Sequence, residues 1–222
     1  MSHGGPADDA ANPGDADDAA DAVDAAVDDD RPAPDAPAWD DEYFDRVADT
    51  LRFNYDLERD RRVDGERYAL YGQLRMENHK QFIHPSINYA NHSVEEHVFA
   101  RRADRLTVAD LDDAVAFGHD LADDWLDPDE EHQRTDFTFV FVVPELTDDV
   151  RSRVAGFRDR TLIKYGYYGH YEVNLVVVAP DEEAHVASDS ADVWRAFAPW
   201  ADDEDDAKGG GILGRLSRLL RR

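Results

Sequence analysis

Cysteine is missing from this 222-residue chain. Disulfides, thiolate metal sites and thiol nucleophiles are thereby excluded. Lysine is scarce too: it stands at positions 80, 164 and 208, and every other basic residue is arginine. No apolar run approaches the ~20 residues needed to span a bilayer. The first residues have neither a basic stretch nor an apolar one, so no secretory signal is read there and the expected location is the cytoplasm. No Walker A loop, dinucleotide-binding glycine fingerprint or Gly-x-Ser-x-Gly elbow occurs.

Carboxylate is what the chain has in excess. There are 51 Asp and Glu against 24 Lys and Arg, a net charge of −27. A dense carboxylate surface holds water and counterions in brine, where the Debye length shrinks to roughly 3 Å. Self-repulsion is then largely screened. Arginine keeps its charge and pairs bidentately with carboxylates. The composition resembles that of a haloarchaeal cytoplasmic protein. On this reading most individual acids are solvated; Asp112, Asp113, Asp123 and Asp124 are expected on a water-facing helix surface.

The charge is not evenly spread. Residues 1–38 hold eleven Asp and one Arg, a net of −10, and no aromatic precedes Trp39. Such a segment buries too little apolar surface to offset its ordering entropy, so it reads as a disordered acidic linker. Residues 201–207 carry −5 and residues 208–222 carry +5, which leaves −17 for a globular domain over 39–200.

Within that domain the periodicity alternates between helix and strand. Asp40–Asn54 places Tyr43, Phe44, Val47, Leu51 and Tyr55 on one helical face. Tyr68–Ile83 is long enough for one bent strand or two short ones, and Val94–Arg101 is another strand. Thr107 with Asp110 forms a capping box at the head of a helix whose stripe runs Val108, Leu111, Val115, Gly118, Leu121, Ala122 and Trp125. Asp136–Val143 and Leu175–Val178 are apolar on both faces, as central strands are. Thr147 caps a shorter helix that starts on Asp148 and Asp149, with Val150, Val154 and Phe157 facing inward. Thr161–Tyr168 and Tyr171–Ala179 read as a hairpin through Gly169, and Asp189–Phe197 as a closing helix. The expected fold is α+β or α/β, a single domain with a mixed β-sheet and flanking helices.

Three groups are candidates for function. His79, His84, His92 and His97 lie near Glu77, Glu95 and Glu96. Among them His79, His97 and Glu95 are the candidate metal ligands, although His-x-His and HExxH spacings are absent. Glu77, His79 and Lys80 are the candidate catalytic residues. A helix, strands, a helix and a further strand loosely resemble the restriction-endonuclease-like core. Glu77 and Lys80 lie one residue too far apart for its acid-x-Lys element, and no Pro-Asp precedes them. The third group is the tyrosine-rich stretch Lys164–Glu172 behind Arg151, Arg153, Arg158 and Arg160. Tyrosines beside glycines can stack on bases. The negative charge of the domain nevertheless disfavours nucleic acid, and the reading preferred is a tyrosine-rich hairpin packed on its sheet, with its arginines paired to neighbouring Asp.

Residues 201–211 are an acidic and glycine-rich linker, and residues 212–222 reverse the composition of everything before them. Ile212, Leu213, Leu216, Leu219 and Leu220 make an apolar stripe at helical spacing, with Arg215, Arg218 and Arg222 beside it. A basic amphipathic helix of this kind docks on a protein groove or an anionic membrane surface.

On Arg67–Phe82, Phe137–Leu146 and Arg160–Val178 the domain is similar to an uncharacterised protein family of halophilic archaea. That resemblance implies habitat and domain limits, and no activity or cofactor. The expectation is therefore an interaction module without enzymatic activity, docking through residues 212–222. The alternative is a metal-dependent enzyme with a degraded restriction-endonuclease-like core, acting on nucleic acid. The first has the tail as its signature; the second needs Glu77, His79, Glu95 and His97 around one cavity.

Overall fold

The computed structural model describes residues 37–78 and 92–201. Helix α1 (Glu42–Leu51) leads into strands β1 (Asp56–Val63), β2 (Glu66–Asn78) and β3 (His92–Arg102). Helix α2 (Val108–Trp125), strand β4 (His132–Val142) and helix α3 (Asp148–Val154) follow. The remaining elements are β5 (Arg160–Leu162), β6 (His170–Ala179), β7 (Ala184–Ala187) and α4 (Trp194–Phe197). The seven strands form one sheet in the order β1-β2-β3-β4-β6-β5, with β7 also pairing β6. The β1-β2-β3 meander is antiparallel, whereas β3, β4 and β6 run parallel. The expected mixed sheet with flanking helices is the observed architecture.

Strand periodicity decides where the core lies. Successive side chains point to opposite faces, and β4 and β6 are apolar on both, so they occupy the middle of the sheet. On one face Phe99, Phe137, Phe139, Phe141 and Leu175 pack with Leu111 and Leu121 of α2 and Val150 and Val154 of α3. On the other, Leu70, Val98, Val140, Val142, Val176 and Val178 pack with Phe44, Val47 and Leu51 of α1 and Phe197 of α4. Phe99 stacks on Phe139 at 5.2 Å between ring centroids.

The helix starts follow from local chemistry. The Asp41 carboxylate accepts hydrogen bonds from the Tyr43 and Phe44 amides at the head of α1. At α2 the capping box is complete: the Asp110 amide donates to Thr107 Oγ1 at 3.3 Å, and the Thr107 amide donates to Asp110 Oδ2 at 2.8 Å. Asp112, Asp113, Asp123 and Asp124 are exposed on α2 as expected.

Four local expectations need correction. The charged stretch Asp56–Val63 is strand β1, an edge strand whose composition hides it. It joins β2 through Asp64 and Gly65, both at positive φ, which suits the twist of a tight hairpin. The strand expected over Thr161–Tyr168 stops at Leu162, where a turn takes over because Lys164 and Tyr165 adopt left-handed backbone. The closing helix is only Trp194–Phe197, and β7 precedes it unannounced. The first helix ends at Leu51, not Asn54. The linker over 1–38 falls almost wholly outside the described residues, as do nearly all of 201–211 and all of 212–222.

Candidate functional site

The face covered by α2 carries a cleft of about 240 Å³ beside β2, β3 and the end of α2. Residues two apart on a strand share a face, so β3 brings Glu95 and His97 together there. His97 is 5 % exposed. Its ring stacks against Phe137 and meets the Trp125 ring edge-on at 5.3 Å. Its Nδ1 lies 2.8 Å from the Tyr71 hydroxyl. Burial pushes the Tyr71 phenol up to about 12, so it keeps its proton and donates it to Nδ1. The imidazole then carries its own proton on Nε2, 3.6 Å from Glu95 Oε2. Burial, with the charges of Arg75 and Arg61, lowers His97 to about 4. The ring is neutral at pH 7 and one of its nitrogens is already engaged.

The rest of the cleft is also occupied with internal bonds. Arg75 Nε pairs with Glu95 at 3.0 Å. The Arg61 guanidinium lies over the Tyr71 ring at 4.0 Å and pairs with Glu58 at 2.6 Å. Among the described residues no group of three or more His, Asp or Glu side chains converges on a metal position.

The opposite face carries a row that sequence reasoning missed. Glu96, Asp136 and Glu172 are consecutive cross-strand partners on β3, β4 and β6. Asp136 and Glu172 are buried. Arg134, two residues before Asp136 and so on the same face, bridges them. Its Nε lies 2.8 Å from Asp136 Oδ1 and its Nη2 3.5 Å from Glu172 Oε2. Glu96 accepts from the Tyr55 hydroxyl at 2.6 Å and from Thr138 Oγ1 at 3.2 Å. Burial raises Asp136 to about 7 against the opposing pull of Arg134. It raises Glu96 as well, against its two hydrogen bonds. Asp136 therefore titrates near neutrality, beside a Glu96 that burial also favours in its protonated form. The row's sequence trace was faint: one acid at the start of each of the two most apolar strands.

The tyrosine stretch divides. Tyr171 packs into the domain, with its hydroxyl 2.9 Å from His119 Nδ1. Tyr165 and Tyr167, contrary to the expected packing on the sheet, stand out into solvent, 96 % and 85 % exposed, next to Leu162 at 58 %. Lys164 (φ 44, ψ 54) and Tyr165 (φ 60, ψ 23) hold them there in left-handed backbone. Such a conformation costs a non-glycine residue about 1 kcal/mol or more. Lys164 Nζ sits over the Tyr168 ring at 4.3 Å. Of the preceding arginines, Arg153 pairs with Asp112 and Arg158 with Asp189 as expected, Arg160 pairs with Glu172, and Arg151 donates instead to the His185 carbonyl at 3.3 Å.

These elements lie within one recognisable unit, since a family model described as a domain of unknown function (DUF8052) matches residues 40–199. The chain belongs to the DUF8052 family. No curated protein and no solved structure matches it. The DUF8052 limits enclose α1–α4 and β1–β7, and with them the His97 cleft, the carboxylate row and the tyrosine turn.

Of the candidate residues read from sequence, the DUF8052 fold brings Glu95 and His97 into one cleft. Glu77 is described through its backbone alone, opposite Ser93. His79 and Lys80 lie outside the described residues, as do Ile212, Leu213, Arg215, Leu216, Arg218, Leu219, Leu220 and Arg222. No helix among the described residues is long and apolar enough to cross a membrane.

Proposed function

We propose that this DUF8052 chain is a cytoplasmic interaction module of a halophilic archaeon, without enzymatic activity, and that its docking element is the amphipathic segment Ile212–Arg222. The observation that carries the reading is the turn at Leu162–Tyr167. Two large aromatic side chains are held in water there by strained backbone, and strain of this kind persists where the contact surface itself is used. Exposed tyrosines are typical anchors of protein interfaces. The titratable groups in the His97 cleft and the carboxylate row support the same reading, because each is bonded to another group of the domain.

Of the two surfaces an amphipathic segment can meet, a protein groove suits this one better. Eleven residues bury little area in a bilayer, and brine screens the attraction of its arginines to anionic lipid. The test uses the full chain with a photo-cross-linking phenylalanine analogue at position 167, incubated in molar KCl with an extract of the cells that make it. The expected result is a discrete protein adduct that weakens when residues 212–222 are removed. Adducts that truncation leaves unchanged, together with flotation of the full chain on anionic vesicles, overturn the protein-groove assignment in favour of a membrane.

The second reading is a metal-dependent enzyme acting on nucleic acid through Glu77, His79 and Lys80. The shared cleft of Glu95 and His97 is the observation in its favour. Titration calorimetry of the full chain with Mn²⁺ and Zn²⁺ tests it. Stoichiometric binding lost in both Glu95→Gln and His97→Asn supports the enzyme and overturns the interaction module.

A further inference from the structure

We infer that the apolar stripe of residues 212–220 docks on its own domain, in the groove between α1 and the chain that follows α4. The inference rests on reading 212–222 as a docking element and assigns the surface it meets. The groove measures about 530 Å³. Tyr43 and Val47 of α1 form one wall, Pro199 and Trp200 the other. The Trp200 indole Nε1 is buried and has no hydrogen-bond partner among the described residues.

The path of the chain favours this occupant. Ala201 is tied to α4 by its amide, which donates to the Ala198 carbonyl at 3.0 Å, so the chain leaves the domain at the groove wall. Ten residues, 202–211, separate Ala201 from Ile212. Ten residues span at most roughly 35 Å in any conformation, so the tether keeps the segment within reach of the groove and raises its effective concentration there. No external partner has that advantage.

Charge points the same way. The segment holds Arg215, Arg218, Arg221 and Arg222 and no acid. Asp181 and Glu183 line the groove, and neither is in an ion pair among the described residues. Arg46, also in the lining, is already partnered by Glu42 at 3.7 Å. A five-residue apolar stripe seated on Tyr43, Val47 and Trp200, with its arginines over Asp181 and Glu183, leaves the leucines covered until a competing surface displaces them.

The experiment compares the full chain with full-length Leu216→Asp/Leu219→Asp and with Asp181→Arg/Glu183→Arg. Hydrogen exchange of α1 and the emission of Trp200, isolated by difference against Trp200→Phe, are read over a hundredfold range of concentration. The expected result is a roughly tenfold slower exchange of α1 amides in the full chain. Trp200 emission should be blue-shifted, both effects should be lost in either double variant, and neither should depend on concentration. Charge reversal on both sides, with Arg215→Glu/Arg218→Glu added to the groove variant, should restore protection. Protection that grows with concentration assigns the groove to a second copy and overturns docking in cis. Unchanged exchange with flotation on anionic vesicles overturns docking in cis and leaves the segment's docking role standing. Unchanged exchange, no flotation and no cross-linked adduct overturn both.

Discussion

At pH 7 the buried Asp136 carboxyl is close to half protonated, and that fixes the sign of its effect on stability. Its folded value, about 7, lies above its ordinary 3.8. Between those values the native state binds more protons than the unfolded chain, so stability from this group is fully present below pH 3.8 and falls as pH rises through 7. Glu96, raised by burial, acts in the same direction. His97 acts in the opposite one. Its folded value, about 4, lies below its ordinary 6.5, so the unfolded chain binds the extra proton and stability rises with pH across that window. The two trends oppose each other in the acid range, and above pH 6.5 only the carboxylate trend is left. Asp136→Asn keeps an oxygen for Arg134 Nε and removes the titration. Denaturant unfolding from about pH 6 to about pH 8 should show a falling midpoint in the parent chain and a flatter one in the variant. An equal fall in both would place the titration elsewhere.

The contact between α2 and the sheet depends on the side chain that Gly118 lacks. A Cβ there would stand 2.8 Å and 2.9 Å from the two Val173 methyls and 3.1 Å from Phe139. Valine is stiff about χ1 and both neighbours are buried in the core, so they have little room to yield. Gly118→Ala gains up to about 1 kcal/mol in helix propensity. Overpacking costs about 1–3 kcal/mol, so the variant should be destabilised by about 1 kcal/mol. In a double-mutant cycle Val173→Ala should relieve part of that loss, and strictly additive effects would show that the helix simply shifts outward. Gly118 was legible in the sequence because it falls within the apolar stripe of α2. So were the capping box, the two central strands and the helix-flanked sheet, all of which rest on periodicity or on contacts three residues apart. β1 was not legible, because an edge strand is selected for charge and only its Asp64-Gly65 turn betrays it. The carboxylate row was invisible for another reason. Glu96, Asp136 and Glu172 are separated by about forty residues each time, and register across β3, β4 and β6 is what aligns them. The turn at Lys164–Tyr165 escaped because nothing in the side chains of lysine or tyrosine announces left-handed backbone.

Across the whole molecule, acids outnumber bases so far that pairing cannot neutralise them. If all 24 basic residues were matched, a net −27 would remain. The ion pairs that do form are mostly exposed, such as Arg59 with Asp40 and Arg101 with Glu66. Exposed pairs contribute about 0–1 kcal/mol each and weaken when screened. The unpaired excess acts oppositely, since its repulsion is long-ranged in dilute buffer, where the Debye length is about 10 Å, and nearly vanishes at about 1 M salt. Salt therefore removes a little attraction and much more repulsion. The apolar core is strengthened as well where the anion is a well-hydrated one. The thermal midpoint of the full chain should rise by about 10 °C or more between roughly 0.1 M and roughly 3 M KCl. The two salt effects separate in a variant with exposed α2 acids made neutral, Asp112→Asn/Asp113→Asn/Asp123→Asn/Asp124→Asn, because it carries less repulsion for salt to screen. It also loses the Arg153–Asp112 pair, which costs little for the reason just given. That variant should be the more stable of the two in dilute buffer, and its midpoint should climb less steeply with KCl. A parent chain whose midpoint is the same in dilute buffer and in brine would refute the claim that its carboxylate excess is matched to a saline solvent.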